Sequence, residues 1–353
     1  MINITKDEQR TRLELIQNDE VISYLTIHNL KIYFWGKELK VGGIGGVGTK
    51  EKYRQKGYSR AVLDEAIKVM TKDKQDLAML FGIPDYYYRW GFVSCLPQNH
   101  LSLPTYQAER APLYHKVRPL EQEDFSSLVA IYNQNNHQRT GAVVRDSNRF
   151  TRIRLGSHFG QQAEGFVLEK DGIMEGYLVL DKTKRSVNIA EIGGINPSVY
   201  YSIMAFVAEL AIQRRVSTIT ANIPQDHPFS LFARDYGLTI TVNYVYNADG
   251  MGRIINQDNL LQVLASDIFK NSGLNESKDS LVFHTDISKT KLGNGSNVYH
   301  IETDQANLTQ LLFGYKPVAQ AVFENKLKTQ LSLQILQKMF PPRIGHLWGP
   351  DKF

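Results

Sequence analysis

The residues with the clearest chemical potential form a basic turn after a glycine-bearing segment, residues 42–49. The turn consists of Arg54, Gln55, Lys56, Gly57, Tyr58, Ser59 and Arg60. Gly57 lets the backbone approach a ligand, and an apolar-periodic helix pattern begins directly after the turn, at 61–70. A helix N-terminus presents free N–H groups and a partial positive charge, which attract anions. The order of strand, basic turn and helix therefore predicts a pyrophosphate cradle for a phosphate-bearing cofactor.

The glycines allow a second interpretation. Segment 42–49 taken alone could be only a bend or bulge in a sheet, because glycine accommodates such backbone shapes. The basic turn and the helix start favour the cofactor site.

The elements that must position this turn occupy residues 1–112. We expect strands at 21–27 and 30–34 with Asn29 near the bend between them. The glycine-bearing strand follows, then a helix with Val62, Ala66 and Met70 on one face, and a buried strand over 77–83. A short helix or turn at 85–90 and a strand at 91–95 complete the block.

The second block, 113–250, repeats this order, which indicates an internal duplication. We expect a strand at 116–120, a helix face around 125–132, a hairpin at 166–180 and strands at 187–192 and 216–223, with a helix at 198–213 between the last two. Residues 232–238 echo the aromatic segment 87–92. The second copy has no basic turn at 193–198, so the anion site is predicted in the first copy only.

The third block, 251–353, combines helix-like and strand-like stretches and ends in an aromatic tail that finishes at Phe353. Disordered tails are usually polar, so we expect this one to dock on the protein. Docking alone would be sufficient reason for its aromatic residues.

Composition limits the function classes. The chain has 353 residues, which predicts two or three domains, and its net charge of +5 includes 36 acidic residues and no long basic stripe. We therefore expect no nucleic-acid partner, and the charged start and absence of a long apolar run predict a cytoplasmic protein without membrane association. The single cysteine, Cys95, excludes a disulfide framework, and no metal constellation stands out. His227 and His346 are expected to be solvated or hydrogen-bonded.

Residues 54–59 followed by helix, strand and Tyr87-Tyr88-Arg89-Trp90-Gly91-Phe92 resemble the GNAT (Gcn5-related) N-acetyltransferase superfamily. The wider layout resembles its enhanced-intracellular-survival (Eis) branch. The resemblance implies an α+β fold with two tandem GNAT-like mixed-sheet domains, 1–112 and 113–250, the second degenerate. A sterol-carrier-protein-like α/β domain would follow at 251–353. Members usually begin with a strand and two helices, so the first domain has a shortened start.

The resemblance also assigns site residues. Val47, Gly48 and Thr49 would offer backbone groups to the pantetheine arm and thioester of acetyl-CoA, Arg54 to Arg60 would hold the pyrophosphate, and Gly82 and Ile83 would line the pantetheine or acetyl region. Tyr87 would protonate the leaving thiolate, and the C-terminal carboxylate of Phe353 would act as base. From the residues alone, a purely structural Tyr87 stays open, and Tyr86 and Tyr88 are interpreted as packing residues.

The implied function is acetyl-CoA-dependent transfer of an acetyl group to a primary amine, such as an aminoglycoside-like molecule, a polyamine or a lysine. The branch tends to form hexamers, which implies a homo-oligomer. The alternative is a non-catalytic protein that binds acetyl-CoA or an apolar ligand.

Overall fold

A computed structural model describes residues 1–148 and 150–353, which divide into two compact units. The first unit comprises residues 1–96, 245–345 and Phe353. The second comprises residues 97–244 and 346–352. The predicted domain boundaries at 112 and 250 remain a prediction.

Strands form the framework of both units. In chain order they are β1 (Ile2–Lys6), β2 (Arg10–Gln17), β3 (Glu20–Phe34), β4 (Lys37–Thr49), β5 (Leu77–Gly82), β6 (Val93–Ser94), β7 (Gln98–Pro104), β8 (Lys116–Pro119), β9 (Ala163–Lys170), β10 (Ile173–Asp181), β11 (Asn188–Gly194), β12 (Thr218–Ala221), β13 (Thr239–Asn243), β14 (Asp249–Ile254), β15 (Asp279–His284), β16 (Lys289–Leu292), β17 (Asn297–Glu302) and β18 (Lys328–Thr329).

The helices connect and cover these strands. They are α1 (Tyr58–Lys72), α2 (Thr105–Ala108), α3 (Phe125–Asn136), α4 (Pro197–Gln213), α5 (Pro228–Ala233), α6 (Gln257–Ser272), α7 (Gln305–Phe313), α8 (Val318–Phe323) and α9 (Leu333–Met339). Short 3₁₀ helices include Glu51–Tyr53, Tyr87–Trp90, Arg234–Tyr236 and Gly349–Asp351. No helix in the described ranges is both long and apolar enough to cross a membrane.

The first sheet has seven strands in the order β1-β2-β3-β4-β5-β14-β6, antiparallel except for β4 and β5. Helix α1 covers one face because Val62, Leu63, Ala66 and Met70 recur at helical spacing and are buried against the sheet. The predicted apolar face of this helix is therefore confirmed. The same core includes Ile44, whose side chain lies on the α1 face of β4.

The predicted bend at Asn29 is wrong, because β3 runs unbroken from Glu20 to Phe34. Asn29 lies within the sheet, where its backbone N–H donates to Gln9 and its side-chain oxygen accepts from Gln75. Because its backbone N–H and side-chain oxygen are hydrogen-bonded, Asn29 can lie within a strand instead of in a turn. The chain reverses instead at Asn18-Asp19 and at Trp35-Gly36, which have positive φ values.

The second sheet repeats the first in the order β13-β7-β12-β11-β10-β9-β8, again with one parallel pair, β11 and β12. The predicted hairpin turns at Asp171-Gly172. Gly237 ends its 3₁₀ helix in the left-handed region, as Gly91 does in the first unit. The mixed-sheet α+β class is confirmed.

Two strands of the paired sheets come from unexpected parts of the sequence. Strand β7 follows β6 in the chain but lies in the second sheet, and β14 follows β13 but lies in the first. Strand β14 thus lies between β5 and β6 in the first sheet, and β7 lies between β12 and β13 in the second. The local pattern cannot predict this exchange, because the pairing partners are more than 100 residues apart.

The first unit also contains a four-stranded sheet, β16-β15-β17-β18, accompanied by α6 to α9. Helices α6, α7 and α8 supply helix-like stretches that the sequence predicts for the third block. The sterol-carrier-like assignment of this region remains a prediction.

In the second unit the C-terminal tail packs where β11 extends beyond its pairing with β12. That pairing covers only Asn188–Thr220 and Ile189–Ala221. Trp348 is 1% exposed and donates from Nε1 to Asn136 Oδ1, and the 3₁₀ helix Gly349–Asp351 packs against β11. The expectation that the aromatic tail docks on the protein is therefore confirmed for the tail segment of the second unit.

A buried ion-pair network holds this tail segment. Arg145 pairs with Glu191 and with Asp351, whose Oδ1 lies 2.9 Å from Arg145 Nε, and the Arg145 side chain is 2% exposed. Burial raises the pKa of Glu191, although the Arg145 guanidinium opposes this effect. Tyr132 and Tyr177 donate to Asp351 and Glu191.

Two histidines flank Trp348, and neither is solvated. His227 Nδ1 accepts from the backbone of Phe229, and burial lowers its pKa to about 3. Burial also lowers the pKa of His346, whose Nε2 is buried without a hydrogen-bond partner in the described part of the chain. Both rings therefore stay neutral and pack edge-on against the indole of Trp348.

We expect Arg145→Met to lower the free energy of unfolding by about 3–5 kcal/mol, because it leaves buried carboxylates without their cation. Arg118→Met is the control, since Arg118 pairs with Asp124 and Glu169 but is 27% exposed, and it should cost about 1 kcal/mol or less. Urea unfolding measures both. The loss of unfolding free energy in Arg145→Met should become smaller as pH falls. A carboxyl group whose pKa is raised in the folded state destabilises the protein as pH rises, and this penalty disappears when the group is protonated. Equal losses for the two variants would contradict this account.

Candidate active site

The central feature of the first unit is the divergence of its two parallel strands. Pairing between β4 and β5 covers Val41–Leu77 to Ile44–Leu80 and then stops. Strand β4 nevertheless continues to Thr49 and β5 to Gly82. On their outer sides, β4 still pairs with β3 at Ser23–Thr49 and β5 with β14 at Asp249–Gly82. The ends of β4 and β5 therefore leave an opening within the sheet, where backbone groups are free to meet a ligand.

A bulge reshapes β4 at this opening. The pairing with β3 shifts from Thr26–Gly45 to Tyr24–Gly48, which places an extra residue in β4. Gly46 has φ +58°, a left-handed value that favours glycine. The segment is thus a bulge, as the second interpretation allowed, and the bulge re-aims Val47, Gly48 and Thr49 at the end of the strand.

The basic turn leads from this bulge into α1. Gln55 and Gly57 both have positive φ values, and Gly57 is the N-cap of α1, where no side chain bonds the first N–H groups. The first turn of α1 contains no acidic residue. Arg54, Lys56 and Arg60 are exposed. The geometry fits an anionic group, since uncapped N–H groups and three cations occur together.

Neighbouring contacts decide which cations are available. Glu20 forms ion pairs with Lys50 and Lys52 and accepts from the hydroxyl of Tyr53, and these contacts lower the pKa of Glu20 to about 2. Glu20 therefore engages Lys50 and Lys52, neither of which was predicted to belong to the site. Arg54 is anchored to the bulge, because its Nε donates to the backbone oxygen of Thr49 at 3.3 Å.

Hydrogen bonds also join the helix start to other elements. The hydroxyls of Ser59 and Tyr86 lie 2.6 Å apart. Tyr58 donates to Gln17. Tyr86 contacts both Tyr87, with ring centroids 4.9 Å apart, and Trp90. Tyr86 thus links the turn to the aromatic segment, a role that the packing interpretation did not include.

Tyr87 lies beside the end of β5 on the α1 face of the sheet. It belongs to the core beneath α1, and a Cβ on Gly82 would lie 2.8 Å from its ring. Burial, with a smaller effect of Tyr86, raises the pKa of Tyr87 to about 12. The hydroxyl therefore keeps its proton well above neutral pH. Ile83, the next residue after β5, is 62% exposed.

Phe353 docks on the opposite face of the sheet. Its ring lies over Gly43, where a Cβ would be 2.8 Å from ring atoms, and its terminal carbonyl carbon would be 2.8 Å from a Cβ on Gly45. The ring also contacts Phe81, with centroids 5.7 Å apart. Because side chains alternate along β5, Phe81 and Gly82 face opposite sides of the sheet. Tyr87 and Phe353 therefore approach the strand opening from opposite faces.

Two of the glycines have a role that was not predicted from the sequence. Gly43 and Gly45 are two residues apart, so both face Phe353, and a side chain at either position would displace the terminal residue. Their period-two spacing, together with an aromatic C-terminus, is the only signal that the sequence offered. Phe81 and His28, which also contact Phe353, were not predicted.

The second unit has a polar cavity of about 520 Å³, but its charged group is already satisfied. Asp181 accepts from the backbone and hydroxyl of Ser157 and from Asn188. In the described ranges, no group of three or more His, Cys, Asp or Glu residues could hold a metal ion. The candidate functional residues therefore lie around the opening between β4 and β5.

Comparisons with known proteins also bear on this part of the chain. Residues 6–94 match the family model for the acetyltransferase (GNAT) domain. No curated protein matches the chain by sequence.

Solved structures share the fold over nearly the whole chain. A probable N-acyltransferase from Enterococcus faecalis has a TM-score of 0.74 at 15% identity, covering 98% of this chain and 89% of its own. A GCN5-related N-acetyltransferase from Anabaena variabilis has a TM-score of 0.74 at 15% identity, covering 98% of this chain and 90% of its own. Eis1 from Mycobacterium abscessus has a TM-score of 0.66 at 12% identity, covering 97% of this chain and 90% of its own. Residues 6–94 thus match the GNAT acetyltransferase domain model, and the chain shares its fold with these solved structures.

We expect Gly45→Ala to expose Phe353 to carboxypeptidase A. The new methyl group would overlap the terminal carboxylate, and overpacking of about 1–3 kcal/mol favours the undocked residue by roughly fivefold or more. Mass spectrometry of the released residue measures the rate. Gly42→Ala is the matched control, because its methyl group points to Met70 and Gln75 on the other face. Equal protection of Phe353 in both variants would show that Gly45 does not accommodate it.

Proposed function

We propose that this protein is an N-acetyltransferase that moves the acetyl group of acetyl-CoA to a primary amine. The observation that carries the proposal is the opening between β4 and β5, which has an anion-binding helix start beside it, Tyr87 on one face and the Phe353 carboxylate on the other. The GNAT domain match over residues 6–94 supports the same reaction class.

In this proposal the turn holds the pyrophosphate. Arg54 to Arg60 and the first N–H groups of α1 bind the phosphates, and the bulged backbone at Val47, Gly48 and Thr49 donates to the pantetheine arm and the thioester carbonyl. Gly82 and Ile83 line the acetyl end. Acetyl-CoA supplies the thioester, and the chain supplies binding, orientation and two proton transfers.

Two groups move the protons. The Phe353 carboxylate accepts a proton from the amine, directly or through a water molecule, as the nitrogen bonds to the thioester carbon. As the carbon–sulfur bond breaks, Tyr87 donates its proton to the departing sulfur. Tyr87 is a weaker acid than a thiol with a pKa of ~8.5, so this transfer is completed only when the tyrosinate is protonated again. The free thiol then keeps its proton at neutral pH, because its pKa lies above neutral pH. The terminal carboxyl then loses its proton to solvent and the tyrosinate takes one up, which restores both groups.

Opposite faces separate the two proton transfers. The sulfur side of the reaction lies with Tyr87 and α1, and the amine arrives on the face that carries Phe353. An acceptor can then enter and leave without crossing the bound cofactor. This separation favours direct transfer over a covalent enzyme intermediate.

Further assignments follow the family resemblance. We propose a cytoplasmic homo-oligomer, a hexamer by analogy with the Eis branch, a degenerate second GNAT-like domain and a sterol-carrier-like fold for the third block. Aminoglycoside-like molecules, polyamines and lysine side chains are the acceptor classes to test.

The decisive experiment measures free-thiol release from acetyl-CoA with a panel of those amines. Tyr87→Phe should lower kcat by about 10²- to 10⁴-fold, because the leaving sulfur loses its acid, while calorimetry shows unchanged acetyl-CoA binding. Tyr88→Phe is the control, since Tyr88 is exposed. With a pKa of about 12, Tyr87 should remain protonated through pH 10, so its ionisation should not reduce the wild-type kcat between pH 8 and 10.

Acetyl-CoA binding without thiol release for any amine would instead favour a non-catalytic binding protein. Full activity of Tyr87→Phe would remove Tyr87 from the mechanism.

A second experiment tests the terminal carboxylate. One glycine added after Phe353 moves the carboxylate away from Gly45, so kcat should fall by about 10²-fold or more while acetyl-CoA binding persists. The same glycine added before Met1 is the control. Full turnover by the C-terminally extended chain would refute the carboxylate as base.

A further inference from the structure

We propose that His28 is a positioning residue that holds the Phe353 carboxylate at the strand opening by donating a hydrogen bond from its ring. The inference rests on the proposed role of that carboxylate as the base. His28 lies in the middle of β3, paired in register with Gly43 of β4 and with Arg10 of β2.

The geometry places the imidazole and the carboxylate at the same point on the sheet. A Cβ on Gly45 would lie 2.8 Å from the terminal carbon of Phe353 and 3.4 Å from His28 Nε2. The rings of His28 and Phe353 have centroids 6.1 Å apart and are inclined by 33°. The space that a side chain on Gly45 would fill is thus occupied by the carboxylate and bordered by Nε2, the ring atom that can donate to it.

The terminal residue has a specific need for such a partner. A chain terminus is free to move unless it is bound, and fixing one residue costs about 1–2 kcal/mol of conformational entropy. The Phe353 ring packs on Gly43 and Phe81, and these contacts do not involve the carboxylate, which lies beside Gly45. A hydrogen bond from an imidazole to a charged oxygen is stronger than a neutral one and would fix that rotation.

The position of His28 also suits this role. Tyr24, Thr26 and His28 are partly exposed on one face of β3, whereas Leu25 and Ile27 are buried on the other, beneath α1. His28 therefore shares with Phe353 the face at which the amine is proposed to enter. Besides that carboxylate, the charged group nearest in register is Arg10, which is exposed and bonds to Asp7.

Two substitutions separate hydrogen bonding from packing. His28→Gln keeps an N–H donor of similar reach but removes the ring, and His28→Phe keeps a ring but removes the donor. We expect His28→Gln to retain kcat within about threefold and His28→Phe to lose roughly 10- to 100-fold, since small misplacements of a reacting group have effects of that size. The Km for acetyl-CoA should not change. His137→Phe, at an exposed position of the second unit, is the control.

The opposite order, an active His28→Phe and an inactive His28→Gln, would assign His28 to packing and overturn the proposal. Equal losses would also overturn it, because the donor is present in only one variant. Acetyl-CoA binding by calorimetry establishes that both variants are folded.

A double-mutant cycle then tests whether His28 acts through the terminal carboxylate. His28→Phe is combined with the added C-terminal glycine, and thiol release is measured for all four chains. If His28 acts through Phe353, the substitution should change kcat by less than about twofold in the extended chain. Additive losses would overturn the positioning role and leave the base intact. An extension without any effect would instead refute the proposed base itself.

Discussion

The structure of the first unit depends on one constraint: two parallel strands must stop pairing while each keeps its other neighbour. After Ile44 and Leu80, β4 is held only by β3 and β5 only by β14. The bulge at Gly46 lets β4 turn away without losing β3. Backbone groups that a continuous sheet would use are thereby freed, and the turn that starts α1 lies directly after the end of β4. The basic turn, Tyr87 and Phe353 all lie beside this separation, and the proposed cofactor site, acid and base therefore depend on it.

The second unit shows what the same scaffold does when its opening is filled. Pairing between β11 and β12 also ends early, but Arg145, Glu191 and Asp351 occupy the surroundings of β11 with an ion-pair network, and Trp348 is buried nearby. No basic turn precedes α4, whose first residue is Pro197. The basic turn and helix start thus accompany the opening of the first unit only, whereas an ion-pair network and a buried tryptophan surround β11 in the second.

The last eight residues of the chain are therefore divided between the two units. Residues 346–352 belong to the core of the second unit, and Phe353 alone belongs to the first. The absence of side chains at Gly43 and Gly45 is as necessary for this docking as the aromatic ring of Phe353, because a side chain at either position would occupy the space of the terminal residue. The glycine-rich strand therefore accommodates the terminal residue, in addition to its proposed role in binding the cofactor.

The sequence by itself determined the elements whose signals are local. Helix α1, the strand β5, the hairpin at Asp171-Gly172 and the basic turn all follow from periodicity and turn chemistry within about 15 residues. It also supplied the aromatic segment around Tyr87 and the expectation that the aromatic tail docks. Only the tertiary structure decided that β3 passes through Asn29 without turning, that β7 and β14 are exchanged between sheets, and that Phe353 meets Gly43, Gly45 and His28. These features depend on pairing between residues far apart in the chain, and no local pattern encodes which distant partner a strand edge, a polar side chain or a chain terminus will find.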